Sequence, residues 1–141
     1  MVIVVAYTPR PESRAALEAA VDEARRSDAR LHLVRILGQG PSDNPSQTRA
    51  WVKKVGQTTE EIHSLAEQLR ADGLEVTYDV EPVSTAAAEH VLDVAGRLGA
   101  DLIVIGLRRR SPVGKLVMGS VSQEILLGAE CPVLAVKAPE E

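Results

Sequence analysis

The stretch from Gly106 to Ser120, GLRRRSPVGKLVMGS, concentrates residue types that bind an anion. Gly106 closes an apolar run, and Gly119-Ser120 opens a segment of helical character that runs from Val121 to Leu127. The first N–H groups of a helix lack partners within it and lie at the positive end of its dipole, so this start suits a phosphate. Glycine lets the backbone approach the ligand closely, and the Ser120 hydroxyl offers a further donor. Arg108, Arg109, Arg110 and Lys115 bring positive charge to the same loop, and a guanidinium can grip a phosphate through two N–H groups. The competing reading is ordinary: a Gly-Ser pair also caps helices, and an arginine run is commonly a solvated face. Neither G-x-x-x-x-G-K-[ST] nor G-x-G-x-x-G occurs, which argues against a P-loop NTPase or a dinucleotide dehydrogenase.

Other reactive side chains are dispersed. His32, His63 and His90 fall on separate elements without carboxylate or cysteine neighbours at ligand spacing, so no metal site is expected. His63 and His90 read as helix-surface residues. Ser13, Ser111, Ser120 and Ser122 have no histidine placed to activate them, and no catalytic residue is assigned. Cys131, the single cysteine, reads as an inert packing residue before Pro132, and it gives no sign of a disulfide-forming compartment. Trp51 reads as a packing contact on a helix rather than a cover over a ligand.

These groups must be carried by a scaffold that the hydropathy pattern outlines. Val2 to Tyr7 is an unbroken apolar run, the pattern of a strand buried on both faces of a parallel sheet. Between Glu12 and Arg26, Ala16, Ala20, Val21 and Ala24 recur at helical spacing. Leu31 to Leu37 forms a second strand, and the GQGPSDNPSQ stretch after it reads as a loop. Trp51 to Leu69 returns to helical period and ends at Gly73. Leu74 to Val80 alternates apolar with polar, as a strand near a sheet edge does. Ser84 or Thr85 is placed to cap the next helix, which carries Ala87, Val91, Val94, Ala95 and Leu98 before Gly99 stops it. Leu102 to Gly106 and Pro132 to Val136 complete the strands. Strands alternating with helices predict an α/β fold with an open, five-stranded parallel sheet and helices on both faces.

At 141 residues, 45% of them hydrophobic and 26% charged, the chain fits one domain over residues 1–141. A net charge of -4 supplies no global attraction to nucleic acid or to an anionic membrane, so neither is expected as a partner. The first apolar run is too short for a signal sequence or a membrane span, and a cytoplasmic location is expected.

The segment ADLIVIGLRRRSPVGKLVMGSVSQEILLGAECPVLAV resembles the C-terminal signature of universal stress proteins, and the likeness extends over the whole chain in the same element order. Members that bind ATP carry G-x2-G-x9-G-[ST] here. Gly106, Gly119 and Ser120 match the first and third glycines and the hydroxyl residue, while Arg109 stands at the second glycine position. After the first strand such members carry an acidic residue in a V-D-G-S-like turn. Here Thr8 takes that place and Pro9 replaces the glycine.

The resemblance implies a Rossmann-like sheet of the adenine nucleotide α-hydrolase-like type, in order 3-2-1-4-5. It implies a nucleotide, ATP or AMP, contacting Thr8, Ile36 and Gly106 at the strand ends and Gly119, Ser120 and Val121 at the helix start. Ile36 would meet adenine through its backbone. Arg109 has two readings, either filling the phosphate position or clamping the phosphates. The strand 132–136, apolar and at the sheet edge in this order, implies a homodimer. Two functions are carried forward: a non-catalytic nucleotide-binding regulatory module, and a ligand-free dimeric interaction protein that has lost nucleotide binding. An enzyme of the same broad fold ranks below both.

Overall fold

The computed structural model describes residues 1–37, 44–81, 86–110 and 115–139. β1 (Val2–Tyr7) leads into α1 (Pro11–Ser27), β2 (Arg30–Ile36), α2 (Pro45–Ala71), β3 (Val76–Glu81) and α3 (Ala87–Leu98). β4 (Leu102–Arg110), β5 (Lys115–Val117), α4 (Ser120–Gly128) and β6 (Val133–Lys137) follow.

Five of the strands run parallel, in the order β3-β2-β1-β4-β6. This is the anticipated 3-2-1-4-5 sheet, with β6 as its fifth parallel member. Register is set by the period-two alternation of buried strands. On one face, Ile3, Val5, Leu31, Leu33 and Val104 pack against Ala16, Ala20 and Ala24 of α1 and against Ile62 and Ala66 of α2. On the other, Val2, Val4, Val34, Ile103 and Ile105 pack against Ala88, Val91 and Val94 of α3 and against Ile125 of α4. Alanine dominates the inner stripes of α1 and α3, which lets those helix backbones lie close to the sheet.

Two differences from the sequence reading have physical causes. α2 begins at Pro45, six residues before Trp51, because Asn44 accepts from the Ser46 N–H at 2.8 Å and Pro45 fits the first helical position. Of the expected loop, Gly38 to Asp43 lie outside the described residues. β4 does not stop at Gly106. It continues through Arg110 and pairs antiparallel with β5, Arg108 opposite Val117 and Arg110 opposite Lys115, so part of the arginine loop is a hairpin. An Arg-Arg-Arg run has no apolar alternation by which a strand could be read. The tip of that hairpin, with Ser111, and the expected cap at Ser84 or Thr85 lie outside the described residues.

Gly73 and Gly99 end α2 and α3 with φ of 94° and 62°, the left-handed conformation that glycine adopts without a Cβ clash. Among the described residues, no helix is long and apolar enough to cross a membrane.

Candidate functional site

Three strand ends and two helix starts converge on one side of the sheet. β1 and β4 are neighbours whose following connections leave toward opposite faces, and a crevice opens where strand order reverses in this way. A cavity of about 540 Å³ occupies it, within the size range of small-molecule sites. It is lined by Ala6 of β1 and Thr8 after it, by Ile36 and Leu37 at the end of β2, and by Ile105 and Gly106 in β4. Gly119, Ser120, Val121 and Ser122 of the α4 start form one wall, and Lys54 of α2 stands on the other side.

The α4 start has the geometry expected of an anion cradle. Gly119 is the N-cap in extended conformation, and no side chain caps the first turn. Gln123 N–H already donates to the Gly119 carbonyl at 2.9 Å, which leaves the N–H groups of the first turn ahead of it for a ligand. A Cβ built on Gly119 would meet no protein atom within 4 Å, so the space before it is open.

Gly106 differs. A Cβ there would overlap the Glu12 carbonyl and lie 2.6 Å from its carbon. Its lack of a side chain is explained by the first turn of α1 crossing β4. Close approach to a phosphate is not needed to account for this glycine.

Thr8 occupies the β1–α1 turn, where its hydroxyl and that of buried Ser13 lie 3.0 Å apart. Its carbonyl accepts from the Arg10 N–H at 2.8 Å. Thus Thr8, Ile36, Gly106, Gly119, Ser120 and Val121 all border one cavity. Arg109 is described in its backbone only, opposite Leu116 in the hairpin, and the choice between its two readings lies outside the described side chains. Exposed Arg108, next to it, lines the cavity.

Sequence reasoning missed Arg35, Arg10 and Lys54, which make the cavity rim basic against a single lining carboxylate among the described residues, Glu12. The signal was present: Arg35 is a charge inside the otherwise apolar run LVRIL. The residue is buried, and its guanidinium donates to the Ile36 carbonyl. Burial holds its pKa below the usual guanidinium value, against the opposing pull of Glu61 and Tyr7.

A second polar cluster lies away from the cavity lining and corrects the view of the histidines as lacking carboxylate neighbours. Asp79 of β3 binds His32 Nε2 at 2.8 Å and His90 Nε2 at 2.7 Å, one imidazole on each carboxylate oxygen. His32 Nδ1 hydrogen-bonds Thr77 Oγ1 at 2.6 Å. His90 is therefore bound inward across α3 and β3, whereas exposed His63 hydrogen-bonds the Tyr78 hydroxyl at 2.9 Å. Among the described residues, no group of three or more His, Cys, Asp or Glu is arranged to hold a metal ion. Cys131 is half-buried, and burial pushes its thiol pKa up, away from reactivity. Trp51 is partly buried on α2, with Lys54 Nζ 5.6 Å from its ring centroid.

Residues 1–137 match the family model described as the Universal stress protein family. A universal stress protein of Mycolicibacterium smegmatis is 38% identical over 136 residues, covering 96% of each chain. The solved structure of a universal stress protein from Archaeoglobus fulgidus shares the fold with a TM-score of 0.72 at 29% identity, covering 97% of this chain and 98% of that one. Another from Archaeoglobus fulgidus, solved in complex with dAMP, has a TM-score of 0.65 at 24% identity, with the same coverage. With the strand order, the helix-start cavity and a family match over nearly the full length, the chain belongs to the universal stress protein family.

Proposed function

We propose that the cavity binds an adenine nucleotide and that the protein works as a regulatory module whose occupancy alters its conformation or partners. The observation that carries this reading is the uncapped start of α4 at Gly119, open to solvent and bordered by Arg108 in a cavity of nucleotide size. In this reading the 5′-phosphate lies on the N–H groups of Ser120 and Val121, with the Ser120 hydroxyl and Arg108 completing the contacts. Thr8 faces the ribose, and Ile36 borders the base. Proteins sharing this fold have been solved with dAMP, with AMP in the case of an Arabidopsis thaliana member, and with cAMP. ATP and AMP are both candidates for this chain. A non-catalytic role is favoured because the lining hydroxyls of Ser13, Ser120 and Ser122 have no histidine beside them among the described lining residues.

The same reading takes the chain as one cytoplasmic domain that forms a homodimer through the 132–136 strand. Leu134 of the edge strand β6 is 40% exposed, and an apolar edge is relieved by pairing across a two-fold axis. A ligand-free dimeric interaction protein is the second reading. It is favoured by the Thr8–Ser13 contact, which engages the hydroxyl at the ribose position.

Nucleotide released from the purified protein by acid, identified against standards, and calorimetric titration of the stripped protein with ATP and AMP test the choice. Co-purifying nucleotide or a saturable heat supports the regulatory reading. Neither, with a dimer in solution, leaves the second.

A further inference from the structure

Arg35 is a buried cation that lines the cavity from β2, two strands away from β4, the strand that precedes the β5–α4 segment. The residue is only 8% exposed, it lines the cavity beside Ile36, and one guanidinium N–H group donates to the Ile36 carbonyl. Among the described residues no carboxylate lies within ion-pair distance of it. Glu61 of α2 attracts it only from beyond that distance. A buried charge is costly unless a counter-charge meets it, and a neutral carbonyl does not neutralise it. Lys54 of α2 lines the same end.

The two cationic ends are separated by the width of the sheet between them. Arg35 is on β2, Thr8 follows β1, and Gly106 is on β4, three adjacent strands in that order. With a spacing of about 4.8 Å per strand, the Arg35 end lies roughly 10 Å from the β4–α4 end. The turn between them carries no acid at the ribose position: Thr8 is neutral, so it does not repel a phosphoryl group on the ribose, and Arg10 adds a further cation.

Building on the nucleotide reading above, we infer that the preferred ligand carries a second phosphoryl group on its ribose, held by Arg35 and Lys54 while the 5′-phosphate lies at α4. Arginine suits this role because its planar fork binds two phosphoryl oxygens at once and keeps its charge when buried. Plain AMP brings no anion to Arg35, which has no carboxylate at ion-pair distance among the described residues. The Ile36 carbonyl accepts one N–H from Arg35, which fixes the guanidinium at this end of the cavity and keeps a second acceptor site for the base.

The test is calorimetric titration of the stripped protein with AMP, adenosine 2′,5′-bisphosphate and adenosine 3′,5′-bisphosphate at one fixed salt concentration. At least one bisphosphate is expected to bind about tenfold or more tightly than AMP, the worth of one charge-assisted contact. The two isomers distinguish which ribose oxygen carries the group. Arg35→Met should collapse the ratio of bisphosphate to AMP affinity toward one, since an apolar side chain of similar length tolerates the buried position. Lys54→Gln, on the exposed face of α2, should reduce the preference severalfold and decides the matter if Arg35→Met does not fold. AMP binding with no gain from either second phosphate overturns this inference alone, as does a preference unchanged in both variants. No binding of any of the three overturns the nucleotide reading and this inference together.

Discussion

Gly106 of β4 packs directly beneath the backbone of Glu12, so that the first turn of α1 rests where a side chain would otherwise project. The glycine is thus a packing requirement of the β1–α1–β4 corner that forms the cavity floor. Gly106→Ala is expected to lower stability by about 1–3 kcal/mol, the usual cost of overpacking against backbone that cannot move aside. Denaturant unfolding of ligand-free protein checks this, and an unchanged midpoint would assign the glycine to the ligand instead.

Gly119 should behave in the opposite way. Its surroundings are empty and its φ of -68° is one that other residues adopt, so Gly119→Val should leave stability within about 0.5 kcal/mol. Nucleotide affinity should fall by more than about tenfold, because the side chain competes for the space a phosphate would occupy. Paired unfolding and calorimetric measurements separate the two effects. An unaltered affinity would refute the placement of the phosphate.

Asp79 predicts the direction of one pH dependence. Burial raises its pKa, but hydrogen bonds from His32 and His90 outweigh this and hold it below the ordinary carboxylate value. A depressed folded pKa stabilises above the unfolded value, near 3.9, and that contribution is lost as pH falls through the folded value. Wild type should therefore lose stability through this acid range more steeply than Asp79→Asn. Denaturation midpoints followed from pH 5 downward test the sign, and parallel curves would show that the cluster does not contribute.

Leu134 tests the proposed dimer. If β6 pairs with its two-fold mate, Leu134→Lys places a charge at the seam and should give a monomer by light scattering at concentrations where wild type is dimeric. Wild type that is already monomeric at micromolar concentration counts strongly against the pairing.

Much of the scaffold was legible without coordinates. The apolar runs around β1, β2, β4 and β6 report burial on two faces, and the helical recurrence of Ala16, Ala20 and Ala24, or of Val91, Val94 and Ala95, reports one buried face. These are local periodicities, set by backbone geometry within a few residues. Gly119-Ser120 was legible for the same reason, since a helix start has a local signature. The β4–β5 hairpin was not, because Arg108 to Arg110 alternate no apolar residues and are held as a strand by pairing with residues 115–117.

What only the tertiary structure decided lies in contacts between segments distant along the chain. His32, Asp79 and His90 share no sequence neighbourhood, and β3 and α3 bring them to one carboxylate. Gly106 looks like a phosphate glycine until the approach of Glu12 is seen. Arg35 reads as an interruption in a strand until its register beside β1 places it under α2 at the cavity edge. The sequence by itself determined the order of elements, the family resemblance and the start of α4 at Gly119-Ser120, because each depends on short-range pattern. Which charges are buried, and which glycine makes room for protein rather than for ligand, depends on chain packing across the sheet, and no local pattern encodes that.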